Sequence, residues 1–218
     1  GLILVGFAAG APFLPKLVQV AKGDMAFTAG LMVLLMVITI AYLPIVLPFV
    51  LTGVQVNPWE IARSLIVLML IPLAIALFIR ARYEEVAKGL IPTMTMAANL
   101  SLAAMFIGYF VGYFDVTYGV LGTGGILVSI LLVVGAVIIG YLLGGTDKDN
   151  KKVLALGTGQ RNLAAAFAVA SSNFATNPEV LIEVMDVAVI GFIILLFIAG
   201  ELGRRSARGA GKSVPAVT

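Results

Sequence analysis

The chain has 218 residues, 61% hydrophobic and only 11% charged, with a formal net charge of +3 and a mean hydropathy of +1.12. Soluble domains carry about 25% charged and 45–50% apolar residues, so this composition excludes an ordinary soluble domain. The absence of histidine and cysteine excludes disulfides, thiolate nucleophiles, histidine general bases and His/Cys metal sites.

In chain order, seven apolar segments are long enough to cross about 30 Å of hydrocarbon as helices. They run over about 1–20, 25–51, 59–79, 86–112, 120–143, 152–174 and 179–202. The fold class expected is an all-α polytopic membrane protein with seven transmembrane helices. The connections "TGVQVNP", "FDVTYG", "GGTDKDNKK" and "SNFATNPE" carry turn chemistry. Residues 1–202 form one transmembrane domain, and 203–218 a basic tail expected to be disordered and to touch anionic lipid. The chain starts at Gly1, inside an apolar run with no signal-peptide pattern. The expectation is a trimmed N-terminus or a piece of a longer protein.

Charge alternates from connection to connection. Lys22, then Arg80, Arg82 and Lys88, then Lys148, Lys151 and Lys152, then Arg204, Arg205, Arg208 and Lys212 fall on one side. The opposite connections hold Glu60, Asp115 and Glu179, with Arg63 as their single basic residue. The positive-inside rule then puts the C-terminus in the cytoplasm and Gly1 outside, and an even number of spans would break the pattern. This basic excess reflects membrane topology, not nucleic-acid binding. Trp59, Tyr83, Tyr109, Tyr113, Tyr118 and Tyr141 lie near span ends, as interfacial anchors do, and receive no functional role.

Two segments are interrupted. The first contains "AAGAPFLPKLVQVAKGD", with Gly10, Pro12 and Pro15 in succession and Lys16 directly after. Two prolines three residues apart should break a helix, and the freed carbonyls must line a cavity or meet protein. The sixth segment breaks at "LGTGQRN", where Gly157 and Gly159 flank Thr158. Paired Gly/Pro-interrupted segments point to a transporter site near the midplane. The two run in opposite directions and each is followed by an intact span, as inverted repeats require. The first repeat would be the incomplete stretch 1–52 and the second 59–202.

The polar residues at these breaks are the candidate substrate site: Thr158, Gln160, Arg161, Asn162 and Lys16, with Pro12 and Pro15 shaping it. Two readings stand for Arg161. It lies about 13–15 Å along a helix from Lys151 and Lys152 and can snorkel to the interface, or it faces a substrate cavity. Lys16, six residues from Lys22, has the same two readings. Asn99 and Ser101 lie mid-span, facing a cavity or joining helices by hydrogen bonds. Glu183 and Asp186 form either an exposed entry turn favoured by the helix N-terminus or a proton-coupling pair with Asp186 the deeper. The stretch "GVLGTGG" at 119–125 lacks the Gly-Lys-Ser/Thr ending of a phosphate loop.

The motifs "LVQVAKGD" and "GTGQRNLAAAFAVA" resemble the bile acid:sodium symporter family. That family typically shows a "T-x-L-A-[RK]-G-[ND]" ending to its first crossover helix and an "E-T-G-x-Q-N-x-x-L-A" second crossover. The resemblance covers the chain in segment number, loop pattern and motif spacing. It implies a ten-span protein of the bacterial inner membrane whose first three spans are absent here. It also locates departures. Leu14 and Pro15 stand where sodium-coupled members have a Ser-Asn pair, Gly157 where they have the shared glutamate, and Arg161 where they have glutamine. Only Asn162 keeps the motif's residue. Beside a guanidinium at 4 Å a sodium ion would be repelled by about 4 kcal/mol at an effective dielectric of 20, so no sodium or other cofactor is expected.

The function expected is a secondary transporter of a small organic anion: a carboxylate, bile-acid-like or sterol-like. Arg161, helped by Lys16, would supply the charge that sodium supplies elsewhere, and the half-helix N-terminus after "GTGQRN" would add free N–H groups. The alternative is a seven-span receptor or a non-transporting scaffold. An enzyme is not expected, since no histidine or cysteine is present and no two aspartates face each other mid-span.

Overall fold

Among the described residues five stretches form helices long and apolar enough to cross a bilayer: Met25–Val50, Pro58–Arg82, Glu84–Gly112, Gly125–Leu143 and Glu179–Arg208. The computed structural model describes residues 1–10, 12–51, 57–112 and 124–210, which are helical with no strand. Asp115, Tyr113, Tyr118, Lys212, most of the 119–125 stretch and the tail from 211 onward lie outside the described residues.

The two interrupted segments fold as pairs of short helices. The first gives α1, Leu2–Phe7, and α2, Leu14–Ala21. After α3, Met25–Val50, a continuous rod is built from α4, Pro58–Leu65, a π-helical turn at Ile66–Leu70, and α5, Ile71–Arg82. Then come α6, Glu84–Gly112, and α7, Gly125–Leu143. The second interrupted segment gives α8, Lys148–Gly159, and α9, Leu163–Asn173, and the last helix is α10, Pro178–Ala210. The longest of the four short pieces has 12 residues, about 18 Å of helix, which does not span hydrocarbon. The breaks are why five continuous crossing helices stand where hydropathy suggests seven.

Local chemistry explains the ends. Asp24 caps α3 by accepting from the N–H groups of Ala26 and Phe27 at 2.8 and 3.0 Å, and Asp147 caps α8 at Asp149 and Asn150. Lys22 stops α2 in the left-handed region at φ 54°. The "AKGD" run is therefore a helix stop followed by a helix start. Pro15 stands in the first turn of α2, where its missing N–H is harmless, so it begins a helix instead of breaking one. Glu84 and Glu85 pair with Lys88 at 3.1 and 3.0 Å, which starts α6 two residues before the expected boundary. α10 likewise runs past Leu202 to Ala210, with Glu201 pairing to Arg204 and Arg205 at 3.1 and 2.9 Å. Residues 203–210 are thus helix and not a disordered tail.

α1 packs on α9 and α2 on α8, so the two broken helices lie antiparallel and cross at their breaks. Two apolar cores follow. One joins Leu4, Val5, Leu43, Leu47, Ile61, Leu65 and Val169 from α1, α3, α4 and α9. The other joins Leu14, Leu17, Val18, Val137, Val153 and Leu156 from α2, α7 and α8, closed by Leu195 of α10. Without water to drive helices together in lipid, close contact depends on small residues. Gly140 is one: a Cβ there would sit 2.4 Å from the Leu154 carbonyl oxygen. Gly203 is another, with 2.2 Å to the Val20 carbonyl oxygen. α6 differs from the rest. Its backbone packs along α5, and Tyr109 is its one buried residue.

Candidate functional site

Between the two apolar cores the described residues hold a layer of polar groups at the crossing. Thr39 and Asn162 are fully buried and Gln160 is 5% exposed. Gly10 takes φ +95°, a conformation that favours glycine, and a Cβ there would come within 3.3 Å of the Asn162 Nδ2 and the Met36 N. The carbonyls freed by this first break meet protein. Ala8 O accepts from the Asn162 N–H at 2.9 Å, and Ala9 O accepts from the Thr39 hydroxyl at 2.5 Å. The backbones of the two breaks are thus hydrogen-bonded to each other.

Asn162 organises the second break. Its Oδ1 accepts from the Ala165 N–H at 3.1 Å, capping α9, while its Nδ2 lies 3.6 Å from the Met69 Sδ in the π-helical turn. The Leu163 N–H goes to the Arg161 carbonyl at 3.0 Å. The free N–H groups expected at this half-helix N-terminus are therefore largely taken by the chain itself. Gln160 and Arg161 behave differently. The Gln160 Oε1 and the Arg161 Nε are buried and have no hydrogen-bond partner. Among the described residues no ion pair holds Arg161; its electrostatic neighbour is the phenol of Tyr42. Both residues line a cavity of about 20 Å³ with Val133, Val187, Ala188, Gly191 and Phe192. That is room for about one water.

No protein-family model matches this chain, and no curated protein is significantly similar to it. The site therefore rests on its own geometry.

The other expected residues fall elsewhere. Lys16 is exposed; its ammonium donates to the Asn99 Oδ1 on α6 and lies 5.5 Å from the Phe13 ring centroid. It is not among the residues lining the Arg161 cavity. Thr158 packs on α7, its Oγ1 2.6 Å from where a Gly140 Cβ would stand. Pro12 is exposed at the turn and Pro15 half-buried in α2. Ser101 is exposed. Leu14 fills the space beside Gly157, its Cδ2 3.1 Å from a Cβ built there. Two of the positions that the resemblance gives to sodium ligands thus form an apolar contact.

Asp186 is 4% exposed, not on an open entry turn. Its Oδ1 accepts the Tyr109 hydroxyl, and its Oδ2, like the Glu183 Oε1, is buried without a partner. Tyr109, expected as an interfacial anchor, is instead 2% exposed and joins α6 to α10; Trp59, Tyr83 and Tyr141 are exposed. Sequence reasoning also missed an apolar chamber of about 280 Å³ between α6, α2 and α10, lined by Phe13, Leu102, Phe106, Phe110, Phe192 and Ile193 among others. The phenylalanine spacing on α6, at 106 and 110, was the available signal, but lipid-facing helices carry the same residues.

Proposed function

We propose that the protein is a secondary transporter that moves a small organic anion across the membrane by alternating access. The observation that carries this reading is the buried Arg161 Nε beside the Gln160 Oε1, both without a partner, in a cavity where two antiparallel helix breaks meet. An unpaired polar group in the bilayer interior is costly and marks a functional site. A guanidinium grips a carboxylate through two parallel hydrogen bonds. Arg161 supplies a permanent positive charge where a bound sodium ion would otherwise stand, and Leu14 packs against Gly157. The seven-segment, inverted-repeat arrangement and kinship with the bile acid:sodium symporter family belong to the same reading. So do the cytoplasmic C-terminus and the inner-membrane location.

Movement has a natural division. α6 meets α2 and α10 through the Lys16–Asn99 and Tyr109–Asp186 hydrogen bonds, with the apolar chamber between. The crossing helices, with α3 and α4 packed on them, form one body, and α6, which packs along α5, belongs to the other. Asp186, with Glu183 one turn away, is the candidate for proton coupling. The test is uptake of radiolabelled monocarboxylates into proteoliposomes with choline in place of sodium. Uptake that persists without sodium and falls at least tenfold in Arg161→Ala supports the reading; a strict sodium requirement sinks it.

A further inference from the structure

The cavity at Arg161 is about 20 Å³, enough for a water and not for a carboxylate-bearing molecule. It must widen for an anion to sit between Gln160 and the Arg161 Nε. One side chain lines both this cavity and the 280 Å³ chamber under α6: Phe192. The ring is 8% exposed. It stands edge-on to Phe13 with centroids 4.9 Å apart and an interplanar angle of 90°, and to Phe106 at 5.9 Å and 77°. Its two partners belong to different bodies, since Phe13 is the N-cap residue of α2 and Phe106 lies on α6. Edge-to-face pairs hold a ring at a preferred distance and angle. A shift of α6 against α2 therefore removes one of the two supports.

We propose that Phe192 is a gate. With the ring in place, Phe192 stands between the Arg161 cavity and the chamber; with the ring turned, cavity and chamber become one space. A carboxylate head then reaches Arg161 while an apolar body stays among Phe13, Phe106 and Phe110. What passes the gate rests on reading Arg161 as an anion site; the partition itself does not.

The chain contains no cysteine, so single thiols report without background. Ala188 lines the inner cavity and is 1% exposed. In the full chain, Ala188→Cys should react slowly with N-ethylmaleimide. Adding Phe192→Ala should speed labelling about tenfold or more, with Phe192→Leu intermediate and Phe192→Trp slower than the parent. Val153, fully buried on α8 and lining neither space, provides the second site: Val153→Cys should label at one rate whether or not Phe192 is present. No acceleration in the Ala188→Cys protein, or equal acceleration at both sites, would overturn the gate. Selective acceleration together with uptake indifferent to Arg161 would keep the gate and reject the anion site.

Discussion

At the first break the chain turns through Gly10, and the carbonyls it frees are taken up at once, Ala8 O by the Asn162 N–H and Ala9 O by the Thr39 hydroxyl. At the second break the cap is equally well made by Asn162, yet two side-chain groups beside it, the Gln160 Oε1 and the Arg161 Nε, have no partner. Both breaks lie in a setting where backbone polar groups must find protein. The contrast separates scaffold from site. Residues whose bonds are complete hold the crossing together, and the residues left incomplete face the cavity.

The largest expected effect is at the scaffold. Gly10→Val puts a β-branched residue at φ +95° and drives its Cβ toward Asn162 and the Met36 backbone. It should lower stability by about 2–3 kcal/mol, read as a lower melting temperature in detergent. A melt equal to wild type would remove the strained turn from the account. Asn162→Ala keeps the backbone bond to Ala8 but loses the cap on α9 and the Met69 contact. About 1–2 kcal/mol should be lost, with fast amide exchange confined to the first turn of α9. Loss spread over the whole bundle would mean that the cap is not its role. The smallest effect on stability belongs to Arg161→Leu. Replacing an unpaired, partly buried charge by an apolar residue should leave the melt within about 1 kcal/mol of wild type, or raise it. A marked drop would place Arg161 with the scaffold.

Much of this was legible along the chain. Gly10 and Pro12 announced the first break, because backbone chemistry at glycine and proline is local. Gly157 and Gly159 only marked the neighbourhood of the second, since both lie inside α8 and the break falls after them at 160–162. The ends of α3 and α8 follow from Asp24 and Asp147 as caps. Tertiary contact was less legible. Tyr109 and Asp186 are 77 positions apart, and no periodicity links them. Lys16 sits in sequence beside a break, yet its long side chain reaches across to Asn99 on α6, so nearness in sequence misplaced it in the site. Thr158 sits on the last turn of α8 and points at the bare backbone of Gly140, a role that only the close approach of α7 reveals. The phenylalanine chamber escaped for a similar reason, since aromatic residues facing lipid and facing a cavity look alike in a hydrophobic run.

Whether Arg161 is a site residue or a packing charge is decided by two readouts on one variant. Arg161→Leu is reconstituted beside wild type, and its melting temperature and sodium-free carboxylate uptake are recorded on the same preparation. A site residue gives an unchanged or higher melt with uptake lost. A lowered melt with uptake retained would make Arg161 a packing charge.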